Sequence, residues 1–110
     1  MRFAVPMAQG KMSLHFGHCE SFALISVEDG KVTGREDVQP PAHEPGALPR
    51  FLAARGVNVV IAGGMGRRAI GLFGENGIEV VVGAARKEPE DLVRDYLAGT
   101  LESTGNICDH

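Results

Sequence analysis

Two short, nearly unbroken apolar runs constrain this chain more than any other feature: residues 57–62, Val-Asn-Val-Val-Ile-Ala, and residues 78–82, Ile-Glu-Val-Val-Val. A strand covered on both faces cannot alternate polar with apolar residues, so it reads as a continuous run, and such strands belong to parallel sheets packed between helices. Parallel neighbours need a crossover, and the stretch between the runs has helical period, with Ala69, Ile70 and Phe73 on one face and a stop at Asn76-Gly77. The result is a parallel βαβ unit, and the fold class is α/β.

Upstream the period is different. Residues 2–7 read as a short strand. Residues 22–27 are β-rich, and Glu28-Asp29-Gly30-Lys31 turns them back as a hairpin through Asp-Gly. The returning strand, residues 31–38, holds Val32 and Val38 among polar neighbours, the pattern of a half-exposed edge. Residues 39–46 contain three prolines, which fix φ and remove donors, so no regular element forms there. Helical spacing begins afterwards: Pro49 suits a first turn, Leu48, Phe51 and Leu52 share a face, and Gly56 suits the stop. A last helix opens at Glu88-Pro89-Glu90-Asp91, where acids favour the positive end of the helix dipole, buries Leu92, Val93, Tyr96 and Leu97, and ends at Gly99. The order β-β-β-α-β-α-β-α predicts a mixed five-stranded sheet, an antiparallel hairpin plus a parallel βαβα half, with three helices. That is a ribonuclease-H-like architecture. Residues 1–99 form its single domain, and residues 100–110 are a tail without periodicity.

Charge and length narrow the function. With 110 residues and a net charge of −3, the chain has one ordinary core and no basic face for nucleic acid or an anionic membrane. No apolar run approaches the roughly 20 residues needed to span a bilayer, and residues 1–7 are too short an apolar stretch for a secretory signal. The expected location is the reducing cytoplasm, where two cysteines are free thiols or ligands rather than a disulfide.

Those cysteines are not scattered. Both of them and three of the four histidines lie in His15-Phe16-Gly17-His18-Cys19 and Cys108-Asp109-His110. Thiolate with imidazole suits zinc, iron, copper or a metal–sulfur cluster, and two cysteines with two or more histidines match a closed tetrahedral site. Each group has a plainer reading: a surface loop anchored by Phe16, and a frayed chain end. Together they reinforce each other, and a metal would give the tail a reason to be ordered. His43, alone in the Pro-rich loop, is an outer candidate whose plainer reading is an exposed histidine. The ligand count also permits a site shared between two copies of the chain, a homo-oligomer.

Gly64-x-Gly66-x-x-Ala69, after a strand and before a helix, resembles a dinucleotide fingerprint. The acidic partner about 20 residues on is missing, since that region reads Val82-Gly83-Ala84-Ala85. The segment is then a tight turn, or an anion cradle in which Gly64 and Gly66 offer backbone donors beside Arg67. No catalytic group is assigned. Two-metal phosphoryl chemistry needs carboxylates at strand ends, and neither residues 2–7 nor residues 57–64 contain one. No Ser-His-Asp arrangement can be built.

Three segments carry a resemblance: residues 12–22 around His15-Phe16-Gly17, residues 43–49 from His43-Glu44-Pro45-Gly46 to Pro49, and residues 59–69 around Gly63-Gly64-Met65-Gly66. Together they resemble the dinitrogenase iron–molybdenum cofactor biosynthesis family, which includes the NifX-type proteins and the C-terminal segment of the NifB-type enzyme. The likeness extends over nearly the whole chain. It implies a ribonuclease-H-like fold and a non-catalytic protein that binds a metal–sulfur cluster, iron with molybdenum foremost, and passes it between cofactor-assembly proteins. By the resemblance His15 matches the family's His-Phe-Gly element, whereas Cys19, Cys108 and His110 occur in only some members. Copper, zinc or a simple metal ion remain open as cargo. The rival readings are a structural zinc-binding domain, an adaptor docking on an assembly ATPase, and a small enzyme using Cys19 beside His18.

Overall fold

In the computed structural model of the chain, residues 1–8, 11–12, 21–39, 46–84, 87–99 and 107–108 are described, residues 11–12 and 107–108 through their backbone only. The chain begins in the middle of its own sheet. Strand β1 (Arg2–Ala8) is flanked by an antiparallel neighbour, β3 (Ser21–Glu28), and a parallel one, β5 (Val59–Ile61). Both of its faces are covered, which is why Phe3, Ala4, Val5 and Met7 are all buried instead of alternating. A two-residue strand, β2 (Lys11–Met12), folds back onto the end of β1.

The hairpin forms at Asp29-Gly30, whose φ values of 52° and 75° are both positive. That is the geometry a two-residue loop needs to match strand twist, and Asp-Gly supplies it cheaply. The returning strand β4 (Lys31–Val38) is the exposed edge; Lys31, Arg35, Glu36 and Asp37 face solvent and only Val38 is buried. Charged side chains on an edge discourage pairing with another chain.

After helix α1 (Ala47–Ala54) comes β5, then a two-residue strand β6 (Met65–Gly66), helix α2 (Arg67–Glu75), strand β7 (Glu79–Val81), helix α3 (Pro89–Ala98) and a last two-residue strand, β8 (Ile107–Cys108). The main sheet runs β4-β3-β1-β5-β7, with β2 added at the end of β1. This is the five-stranded mixed sheet with three helices read from the sequence. The strand register between the two apolar runs covers residues 59–61 and 79–81.

Each face of the sheet has its own core. On one face Phe3, Val5, Ile25 and Ile61 pack with Leu92 and Val93 of α3. On the other Phe22, Leu24 and Val60 pack with Leu52 of α1 and Phe73 of α2. Pro89 sits in the first turn of α3 with Glu90 and Asp91, and Gly99 closes that helix in the left-handed conformation at φ 74°. Tyr96 ties α3 to the sheet: its ring meets Phe3 edge-on at 5.1 Å, and its hydroxyl donates to Glu79 Oε2 at 2.7 Å. No helix among the described residues is long and apolar enough to cross a membrane.

Candidate functional site

The parallel strands give the sheet two unlike ends. At the C-terminal end of β1, Met7 lies opposite Ser21 of β3 and opposite Met12 of β2. The segment 13–20 therefore leaves and returns beside one residue. His15, His18 and Cys19 lie in that segment, outside the described residues.

Strand β4, which precedes the Pro-rich segment, ends at the same edge. Val38, the last residue of β4, pairs with Phe22, which pairs with Pro6. Arg55, just past the other end of α1, accepts a 2.8 Å bond from Arg2 Nη1 at the opposite end of the sheet. Helix α1 thus runs down from the edge where β4 ends. His43, between them, also lies outside the described residues.

Strand β5 is joined unequally to its two neighbours. Toward β7 the backbone bonding continues past the strand: Ala62 N–H to Val81 at 2.9 Å, Ala84 N–H to Ala62 at 3.2 Å, Gly83 N–H to Gly63 at 2.8 Å. Toward β1 the register comprises Phe3↔Val59 and Ala4↔Val60. Pro6 explains the difference. Met1 and Val27 exchange both backbone bonds, so alternation turns residues 3, 5 and 7 toward β3 and residues 2, 4 and 6 toward β5. Asn58 N–H bonding to the Arg2 carbonyl at 2.8 Å agrees. Pro6 therefore points a nitrogen without hydrogen at β5, where the next rung would need a donor. Sequence reading passed over this residue, although a proline inside a strand is itself the signal.

The chain leaves β1 toward β3 and β4 on one side and later returns to place β5 and β7 on the other. The gap between β1 and β5 is thus the point where strand order reverses. In open α/β sheets ligands bind outside the carboxyl ends of the strands at such a point.

The glycine segment follows the C-terminal end of β5 and leads into α2. Gly63 and Gly64 are buried, Met65 is buried in β6, and Gly66 caps α2. Gly66 has φ −68° and ψ 150°, a conformation open to any residue. Because α2 follows the C-terminal end of β5, its positive end lies at this edge, and Arg67 and Arg68 in its first turn are exposed.

The two-residue strand β8 adjoins this segment. β8 pairs in parallel with β6, Met65↔Ile107 and Gly66↔Cys108. Cys108 is therefore one strand spacing, about 4.8 Å, from Gly66. Its side chain is not described, and His110 lies outside the described residues. Among the described residues no group of three or more His, Cys, Asp or Glu forms a metal site. All six candidate metal-ligand side chains are outside that set.

Comparison with known proteins agrees with this architecture. The family model described as dinitrogenase iron-molybdenum cofactor matches residues 1–99. An uncharacterized protein of Methanocaldococcus jannaschii is 31% identical over 107 residues, covering 93% of this chain and 90% of its own. The crystal structure of PH0822 superposes with a TM-score of 0.85 at 34% identity, covering 94% of this chain and 95% of that one. The apo form of the orange protein from Desulfovibrio gigas shares the fold, with a TM-score of 0.76 at 22% identity and coverage of 96% and 93%.

Proposed function

This chain belongs to the dinitrogenase iron–molybdenum cofactor family, and on that premise we propose that it is a non-catalytic carrier of a metal or metal–sulfur cluster in cofactor assembly. The cargo is a substrate, held and released unchanged. The observation that carries the reading is the position of β8. Cys108 pairs with Gly66 at the sheet edge where the segment holding His15, His18 and Cys19 is anchored at Met7. The described residues on either side of segment 13–20 and the backbone of Cys108 are thus at the same end of the sheet, which supports this reading.

In this reading Cys19 and Cys108 are thiolate ligands, His15, His18 and His110 imidazole ligands, and His43 an outer donor. Soft sulfur with borderline nitrogen favours iron and molybdenum in a sulfide cluster, and the same set accepts copper or zinc. Such clusters are anionic. The backbone of Gly64 and Gly66, the start of α2 and the Arg67 guanidinium suit the negative part of the cargo. Residues 1–99 are the binding domain and residues 100–110 its ligand-bearing tail. The hairpin joined to a parallel βαβα half supports the ribonuclease-H-like description of that domain. The partners are cofactor-assembly proteins in the cytoplasm.

The test is anaerobic reconstitution with ferrous iron, sulfide and thiomolybdate, followed by metal analysis. Wild type is expected to retain metal after desalting, and the Cys19→Ser/Cys108→Ser chain to lose most of it. Equal retention by both would overturn the thiolate assignment.

A further inference from the structure

The chain's net charge conceals a division between the two faces of its sheet. Helices α1 and α2 lie on one face, where Leu52 and Phe73 share a core. With the residue that closes α1, they carry Arg50, Arg55, Arg67 and Arg68 against a single acid, Glu75. On the other face α3 and the two residues before it carry Glu88, Glu90, Asp91 and Asp95 against Lys87 and Arg94. Ion pairing follows the same division: Arg35–Glu90, Lys87–Asp95 and Arg94–Asp91 all involve α3 or its approach. Among the described residues no carboxylate pairs with Arg50 or Arg68, and both are exposed. These arginines also stand where a helix disfavours them. Neither α1 nor α2 has an acid in its first turn, yet Arg67 and Arg68 open α2. A Cβ added to Gly46 would lie 3.2 Å from Arg50 Nη1, so that guanidinium curls back over the start of α1. Cations oppose the positive end of a helix dipole, so this placement does not serve helix stability.

We propose that the α1–α2 face docks a protein partner through an acidic surface of that partner. The docking stands on charge and burial; that the partner exchanges cargo with this chain rests on the carrier reading. Partly exposed Leu48, Phe51 and Ile70 lie on the same two helices, and arginine beside apolar and aromatic side chains is the make-up of a protein interface. Other anionic occupants fit less well. The Phe51 ring is already covered by the Arg55 guanidinium at 4.3 Å, which takes the place of a stacked base. Among the described residues Met1 is the one large apolar side chain that is exposed, so these helices offer a bilayer nothing to insert. A second copy would have to bring α3, whose Glu90, Asp91 and Asp95 are already engaged in ion pairs.

The test begins with Gly71→benzoylphenylalanine, a photo-crosslinking side chain at an exposed position of α2 where an added Cβ meets nothing within 4 Å. Irradiation of the full chain in cells of its source is expected to give an adduct with one protein, which is then purified. Arg50→Glu/Arg68→Glu is expected to bind that protein about tenfold more weakly than wild type, and Lys87→Glu/Arg94→Glu, the same change in net charge on the opposite face, to bind within about twofold of it. Acids suit the start of a helix, so the first variant keeps its fold, which circular dichroism checks. Equal weakening by both variants, no adduct, or adducts only with nucleic acid, lipid or a second copy would each overturn the docking. Metal retained after anaerobic reconstitution with ferrous iron, sulfide and thiomolybdate is expected to be unchanged in Arg50→Glu/Arg68→Glu. A loss confined to that variant would put the arginines on the cargo and overturn the docking. If wild type itself retains no metal, the carrier reading fails, and the adduct with the two charge reversals still decides the docking.

Discussion

The two ends of the sheet are built from different materials. At the N-terminal edge the strands are sewn together by short, directed bonds: the Met1 ammonium to Val27 at 3.0 Å, Arg2 N–H to Asn58 Oδ1 at 2.8 Å, Arg2 Nη1 to the Arg55 carbonyl at 2.8 Å, Tyr96 to Glu79 at 2.7 Å. At the C-terminal edge three glycines cluster at 63, 64 and 66, the β1–β5 ladder meets a proline, and a two-residue strand pairs beside β6. One edge is held by directed side-chain and terminal bonds, the other by backbone pairing alone among these contacts. The lesson is that stability and binding are assigned to opposite ends of the same strands, so substitutions should separate them.

The largest effect is expected from Phe3→Ala. Phe3 is fully buried against Tyr96, and losing it should cost about 3–5 kcal/mol through lost burial and an unfilled cavity. Chemical denaturation checks this, while metal bound per folded molecule stays at the wild-type value. A parallel fall in metal per folded chain would break the separation of the two edges. Asn58→Ala comes next. It removes the acceptor for Arg2 N–H at an exposed position and should cost about 0.5–1.5 kcal/mol, again without changing metal uptake.

Pro6→Ala sharpens the comparison from the other side. It restores an N–H aimed at β5, and the stability change should stay within about 1 kcal/mol, because the gained donor opposes the freer unfolded chain. Slower amide exchange at residues 60–64 together with reduced metal retention is the expected pair of results. An unchanged exchange rate would show that Pro6 does not keep the gap open.

The smallest effect lies in pH. The bond to Glu79, then partial burial, holds the Tyr96 hydroxyl above its ordinary value of 10.0. A raised pKa in the folded state means that the protonated phenol stabilises the fold. The contribution is complete below pH 10 and is lost as pH rises through the higher folded value. Thermal melts above pH 10 should therefore fall more steeply for wild type than for Tyr96→Phe. Arg35 behaves differently. Its guanidinium is held above its ordinary range chiefly by the bond to Asp37, but its ion pairs with Asp37 and Glu90 are solvent-screened, and Arg35→Ala should cost no more than about 1 kcal/mol.

Much of the scaffold was legible in the residues because its signals are local. The Asp29-Gly30 turn, Pro89 at the start of α3, Gly99 at its end and the apolar runs at 57–62 and 78–82 each report on their immediate neighbours. Both the strand boundaries and the helix stops followed from them within one or two residues. The site was legible only as composition: sulfur and nitrogen donors crowd two short segments. Sequence says nothing of where those segments meet, because convergence depends on strand order.

Residue types and their spacing by themselves determined an α/β sheet with three helices and a concentration of soft donors near the two ends of the chain. These follow from period, turn chemistry and capping, each a matter of a few bonds along the backbone. Tertiary structure alone decided that Pro6 faces β5, that the gap between β1 and β5 is the point of reversal, and that Ile107-Cys108 comes to rest beside Met65-Gly66. A two-residue strand has no period to read, and the side to which a proline turns its nitrogen has meaning only once the neighbouring strand is in place.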